Sequence, residues 1–348
     1  MEEELRKTLP AHVRCASHTL NLVATTDAMA CIKSSKSLEA GYMRMIDRCT
    51  SLWKMLSAPK SNENVKVILG KSLKKPLPTR WNSLYDALIQ IFGLKEKILS
   101  NVSTLGMNKP LEEADFRFIE EYCRCHQPIA QAIDVIQVDQ TASYGYLLPT
   151  LIITRKKLLA CKDLRFQYCQ KLISGLIAAI EKRFKNVFNV VDEGKTAAVA
   201  AASHPMFKFR WLSSLSKEAQ ENVMKAIQDA IVSLPDNPVN EPELQTVAMD
   251  DFFNFDDQPF ITTPSSSPSS NSSATTSSSG PFGSTIEEVN FIKFTTDPRT
   301  DFLLLNSYPT VRKIFLKTNT ILPSSAAVER LFSYATMYDL PKYNKLTD

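Results

Sequence analysis

Glycine is scarce in this chain, with 9 residues in 348. Folds built from strands and tight turns lean on glycine's freedom at positive φ, so this scarcity points away from them and toward helix. Long apolar runs are also missing. The strongest, "LIAAI" with Leu172 and Ile173 just before it, falls far short of the ~20 residues that span a bilayer. The opening stretch "MEEELRKTLPAHVRC" is acidic and has no apolar segment, so it does not read as a secretory leader. Nor is there a disulfide framework. The seven cysteines, at 15, 31, 49, 123, 125, 161 and 169, are odd in number and irregular in spacing, which suits a reducing, intracellular setting. A strong charge of one sign is lacking too: the net charge of +4 permits contact with nucleic acid without demanding it. A soluble intracellular protein with no membrane partner is expected.

What remains is apolar enough to fold. Hydrophobic residues make up 44 % of the chain, and its length suits two or three domains. Helical periodicity recurs throughout. Residues 14–33 carry Leu20, Leu22, Val23 and Met29 in a pattern that fits a buried helix. From Leu38 to Leu56 the apolar positions include Tyr42, Met43, Ile46 and Trp53. Two prolines in "KKPLPTRWNSLYDAL" break the run, and Thr79 or Asn82 can cap the helix that follows. Phe116, Ile119, Tyr122, Ile129, Ile133 and Ile136 share one face across a Pro128 kink. Residues 170–190 predict one long amphipathic helix, with Leu172, Ile173, Leu176, Ile177, Ile180, Phe184 and Phe188 along one side.

Residues 235–287 change character. "PDNPVNEPE" leads to "MDDFFNFDD" and then to a tract, 265–279, in which ten of fifteen residues are Ser. So little apolar surface cannot offset chain entropy, and a disordered acidic and Ser-rich linker is expected. Within it Phe252, Phe253 and Phe255 lie among acids, as in short partner-binding segments, or else they tuck the linker onto the helical body. The remaining piece, 288–348, is marginal for folding alone, so it must pack on the preceding part, on another chain, or on both.

Several residue groups invite a chemical reading. Cys15 and His18 have a metal-like spacing, and so does the run Cys123, Cys125 and His126, but neither set has the four ligands of a zinc site. Burial is the expected role of both. Lys66, Lys71, Lys74, Lys75 and Arg80 lead up to Trp81, a basic run ending in an aromatic that suits phosphate contacts with base stacking. A solvated loop with Trp81 anchoring a helix is the competing reading. In "PSSAAVERLFSYA", residues 323–335, Val328, Leu331, Phe332 and Ala335 form an apolar stripe with Ala327, and Glu329 stands near the helix start, where negative charge is favourable. Packing inside the chain's own core competes there with association between chains.

Five of these stretches resemble, in order, those of hAT-type transposases. "RCASHTLNLVA" is similar to the family's Cys-x-x-His segment, and "LPTRWNSLYDAL" to its Arg-Trp-Asn-Ser segment. "ASHPMFKFRWL" resembles a looser element of its helical insertion. "YPTVRKIFLKTNTIL" and "PSSAAVERLFSYA" resemble its C-terminal dimerisation region. The resemblance implies an RNase H-like core interrupted by an all-helical insertion, with three acids holding two Mg²⁺ ions. It makes Glu329 the counterpart of the third acid and Trp81 the counterpart of a tryptophan that stacks near a displaced base.

The other two acids lie upstream of the Cys-x-x-His segment in the family. Here fourteen residues precede Cys15, and none is Asp. A lone carboxylate cannot hold paired ions ~3.5–4 Å apart, so no strand cleavage is expected, Glu329 is a fossil ligand, and no metal or cofactor is implied. The family's N-terminal zinc finger has no counterpart either.

The expected fold is therefore mostly α: the all-helical insertion domain of an incomplete RNase H-like transposase core, with C-terminal dimerisation helices. Residues 1–56 are assigned to a core remnant, 57–234 to the insertion, 235–287 to the linker and 288–348 to dimerisation. The expected function is protein dimerisation or multimerisation through Val328, Leu331, Phe332 and Ala335. Residual DNA binding through Arg80, Trp81, Lys74 and Lys75 is left open, with the nucleus as the expected location. Two alternatives stand beside it: a fragment of an active transposase whose catalytic part is missing, and an interaction protein acting through the Asp-Asp-Phe-Phe segment.

Overall fold

Burial of apolar helix faces organises the chain. Its structure, a computed structural model, describes residues 14–77, 82–138, 143–234, 253, 282–325 and 331. Helices dominate, and there is no strand among the described residues, in keeping with a mostly-α chain. Two compact units result. One contains Cys15–Gln137 and Thr154–Arg183, with Leu331 among later residues; the other contains Val138–Ile153 and the described residues from Phe184 to 325.

The first unit holds α1 (Ala16–Leu22), a π turn (Val23–Asp27), α2 (Ala28–Lys33), α3 (Lys36–Met55) and α4 (Pro59–Leu69). It continues with α5 (Ser83–Phe92), α6 (Lys95–Ser100), α7 (Val102–Leu105) and α8 (Glu113–Ile136). The division falls within α9 (Leu147–Lys162), and α10 (Gln170–Arg183) completes the unit. Helix α8 is the axis: α1, α3, α5 and α10 all pack on it. Its face of Phe116, Ile119, Tyr122, Ile129, Ile133 and Ile136 is buried throughout, as the spacing predicts.

A capping box starts α8. Glu112 accepts from the Asp115 region of the backbone, and the Asp115 carboxylate accepts the Glu112 N–H at 3.0 Å. Fully buried, Asp115 also meets Arg44 Nε at 3.0 Å and Arg48 Nη1 at 2.7 Å, so its charge is paired rather than stranded. Pro128 lies within the helix and, lacking an N–H, takes the helical donor away from the Arg124 carbonyl. The Cys161 thiol donates to that carbonyl instead, at 3.7 Å. Between α2 and α10 the approach is so close that a Cβ on Gly175 would sit 2.5 Å from Cys31 Sγ.

Two details differ from the periodicity. The buried stripe of α3 runs through Leu38, Tyr42, Met45, Cys49, Leu52 and Trp53, leaving Met43 56 % exposed. The long helix expected over 170–190 breaks at Phe184 (φ −109°, ψ 23°), giving α10 and α11 (Lys185–Asn189). Phe184 stays buried while Phe188 is only half-buried.

The second unit contains a 3₁₀ turn (Tyr144–Tyr146), α11, α12 (Glu193–Ser203), α13 (Lys217–Val232), α14 (Ile286–Thr296), a 3₁₀ turn (Phe302–Ser307) and α15 (Pro309–Asn319). Its centre is α12, "EGKTAAVAAAS", whose last seven residues are all buried. Small side chains let neighbours come close, and α15, α13, α11 and the Tyr144–Tyr146 turn all pack on it. At the end of α15 the buried Asn319 amide donates to Ala200 O at 3.1 Å. Its oxygen accepts from Gly145 N at 2.9 Å and from Ser143 Oγ at 2.8 Å. Only glycine fits at 145, where a Cβ would lie 2.8 Å from Ala200 O. Residues 282–325 thus pack on residues 184–234 within one unit, and α14 opens with a Thr285–Glu288 capping box.

The turn after α12 carries two buried basic side chains. Lys208, in the left-handed region at φ 47°, donates from Nζ to the carbonyls of Asp297 and Arg299 and lies 5.5 Å from the Phe294 ring centre. Burial draws its ammonium down to about 8. His204 accepts the Met206 N–H at Nδ1 (3.2 Å), which places its proton on Nε2. No oxygen meets Nε2 among the described residues; instead the rings of Tyr146, Phe207, Phe302 and Phe315 lie 4.8–5.6 Å from the imidazole.

Burial in that aromatic setting pulls His204 down to about 3. The unfolded chain therefore takes up this proton first as pH falls, and stability is lost from about pH 6.5 toward 3, by at most about 1.4 kcal/mol per pH unit. Urea titrations across that window are expected to show a flatter acid loss for His204→Phe than for the unsubstituted chain. Parallel curves would mean that His204 does not carry the acid sensitivity.

Candidate nucleic-acid interface

Two of the quoted sequence stretches meet in the first unit. Residues 21–25 of the α1–π-turn segment and the residues flanking "PTRW" border one cleft of about 390 Å³, floored by Tyr122, His126 and Ala130 of α8. That volume suits a single planar group.

The π turn accounts for one wall. Its wider winding displaces a helical carbonyl from its usual donor, and His126 Nε2 lies 3.2 Å from Ala24 O while Nδ1 lies 2.9 Å from Tyr122 O. The imidazole also stacks on the Tyr122 ring, with centroids 4.1 Å apart. Burial lowers the His126 pKa, and the two carbonyls pull it back up. Asp27, the last residue of the turn, forms a two-pronged ion pair with Arg183 at the end of α10. This pair holds the turn in place.

The opposite wall is built by Leu77, Asn82, Ser83 and Tyr85. Ser83 Oγ donates to Leu77 O at 2.6 Å and accepts Leu77 N–H at 3.2 Å, cinching the two ends of the intervening stretch. Asn82 stands where a helix cap is expected, but it adopts the left-handed conformation (φ 58°) and does not cap. Its side-chain amide donates to Ala130 O at 3.0 Å and to Asp134 Oδ1 at 3.2 Å, fastening the start of α5 to α8. Tyr85 has its hydroxyl pushed up to about 12, chiefly by burial.

Of the residues proposed for DNA, Lys74 and Lys75 are exposed on the segment leading to this wall. Lys74 N donates to Gln90 Oε1 at 2.6 Å, while its ammonium stays 3.9 Å from Asp86. Arg80 and Trp81 lie outside the described residues. So do Glu329, Val328, Phe332 and Ala335; Leu331, the described member of that stripe, is helical and 67 % exposed.

The candidate metal residues are placed differently. Cys15 serves as the N-cap of α1, its sulfur accepting the His18 backbone N–H at 3.4 Å, while the His18 side chain is exposed. That overturns the expected burial of this pair, because a capping role holds Cys15 at the helix end. Cys123, Cys125 and His126 are buried in α8; burial raises the Cys123 thiol, while a hydrogen bond with Cys169, and burial after it, raises that of Cys125. No group of three or more His, Cys, Asp or Glu is arranged for a metal ion among the described residues. No described helix is long and apolar enough to cross a membrane. Phe252 and Phe255 are outside the described residues, whereas Phe253 is buried.

Sequence reasoning singled out Asn82 only as a cap, and Ser83 only as part of the Arg-Trp-Asn-Ser element. Their partners, Ala130 and Leu77, are what give them a role. No protein-family model matches the chain, and no curated protein matches it either.

Asn82→Ala is expected to cost about 2 kcal/mol in urea denaturation, combining left-handed strain with lost hydrogen bonds. Asn82→Gly, free of the strain, should cost about half as much. Equal costs would remove the backbone contribution.

Proposed function

We propose that this chain is a transposase-derived protein without strand-cutting activity, which associates with itself through its C-terminal region. The observation that carries the reading is Leu331: a large apolar side chain, helical, in the stretch most like the hAT dimerisation signature, and 67 % exposed. Leaving such a side chain in water is unfavourable by about 1.5–3 kcal/mol, which association would recover. Val328, Phe332 and Ala335 share its helical stripe by spacing. Of the three metal-binding acids that the resemblance implies, Glu329 alone falls on a matching motif of this sequence, and one carboxylate cannot hold two ions.

A second activity, DNA binding, is favoured by the cleft. Arg80 and Trp81 occupy two of the four positions between Leu77 and Asn82, both of which line it. Lys74 and Lys75 add charge nearby, so the phosphates would be met by cations and a base by the aromatic floor. A nuclear location follows from this second activity. The all-helical part would correspond to the insertion domain of the RNase H-like family.

In sedimentation velocity the unsubstituted chain is expected to run as a dimer or larger species and Leu331→Asp as a monomer; an unchanged profile removes the stripe from the interface. In anisotropy titrations with single-stranded DNA, Arg80→Ala with Trp81→Ala is expected to bind at least about tenfold more weakly, with a salt slope reduced by about one for each lost phosphate contact. Equal affinity would leave the basic run structural.

A further inference from the structure

Phe253 is the one described residue between Leu234 and Phe282, and it is 6 % exposed. Its ring lies edge-on to Phe207 at 4.7 Å and to Tyr146 at 5.7 Å between centroids, inside the second unit. The socket itself is rigidly made. Tyr146 and Phe207 are perpendicular to one another at 4.9 Å, Tyr146 Oη donates to Met206 Sδ at 3.6 Å, and His204 packs against both rings. Edge-to-face aromatic geometry of this kind selects a flat ring over an aliphatic side chain.

The ring that fills the socket comes from a stretch unlike the rest of the chain. Phe253 sits in "MDDFFNFDD", with Asp250 and Asp251 before it and Asp256 and Asp257 after it. Its nearest described neighbours in sequence are Leu234 on one side and Phe282 on the other, leaving 18 residues (235–252) and 28 residues (254–281) between. Eighteen residues can span up to ~60 Å when extended. A ring joined through the same chain to its socket is held by local concentration as well as by its own contacts.

We propose that the Tyr146–Phe207 socket is a docking site for the acidic phenylalanine segment of this chain, filled by Phe253 of the same copy in isolation and by Phe253 of a second copy in an assembly. Each exchange replaces a contact with an identical one, so it costs little. The socket residues and Leu331 belong to different units, so either association can fail without the other.

A fluorescently labelled peptide of residues 247–259 tests the proposal, with full-length chains as receptors and anisotropy as the readout. Phe253→Ala, which empties the socket, is expected to bind the peptide about tenfold more tightly than the unsubstituted chain, whose tethered Phe253 competes at millimolar effective concentration. A peptide with Ala at position 253 should not bind. Phe253→Leu, which keeps the socket filled by a smaller side chain, should fall between the two and serves if the Ala variant fails to fold by circular dichroism. Equal binding to filled and emptied chains, or no binding to a folded Phe253→Ala chain, overturns the proposal.

Discussion

A buried amide must have all its hydrogen-bonding positions met, and in the second unit Asn319 is that amide. Its nitrogen closes the last turn of α12 at Ala200, and its oxygen gathers Gly145 and Ser143. Much of the unit follows from this single demand. The Tyr144–Tyr146 turn has to touch α12, so position 145 must lack a Cβ, and α12 must present alanines. The C-terminal piece is thereby bound into the same unit as residues 184–234, although more than forty residues of sequence intervene.

The first unit meets the same requirement differently, by re-using carbonyls that its helices give up. Pro128 releases Arg124 O, and Cys161 takes it. The π turn presents Ala24 O to His126, and Asn82 binds Ala130 O. At the entrance to α10, Glu121 accepts three successive backbone N–H groups, from Gln167, Tyr168 and Cys169. Each of these gives a partner to a backbone or side-chain group outside the regular helical ladder. Because the partners lie on different helices, the same bonds also set where the helices sit around α8, and the cleft is a product of that arrangement.

The helices were largely legible because their apolar spacing is regular. The face of α8 could be read directly, and Pro309 stands in the first turn of α15, where proline is at home. Met43 was read onto the buried face of α3, whereas the spacing 38, 42, 45, 49, 52 selects Met45, which is the residue buried. The break at Phe184 has no glycine or proline to mark it. Helix α14 was passed over even though Thr285 and Glu288 spell out a capping box three residues apart. In the cleft, Tyr122 and His126 read as core, which they are, yet they also floor the cavity. Asn82 looked like a cap because its partner on α8 is 48 residues away and leaves no local trace.

The π turn has a further implication for how this chain tolerates change in length. A turn of this kind holds one residue more than the α-helix on either side of it, so Val23–Asp27 behaves as an insertion that was accommodated rather than spread along the helix. Removing one residue there would restore regular winding and leave the flanking helices in phase, but it would also take away the widened turn. Ala24 would then no longer offer its oxygen to His126. This segment is a gauge whose count is set by an imidazole on another helix.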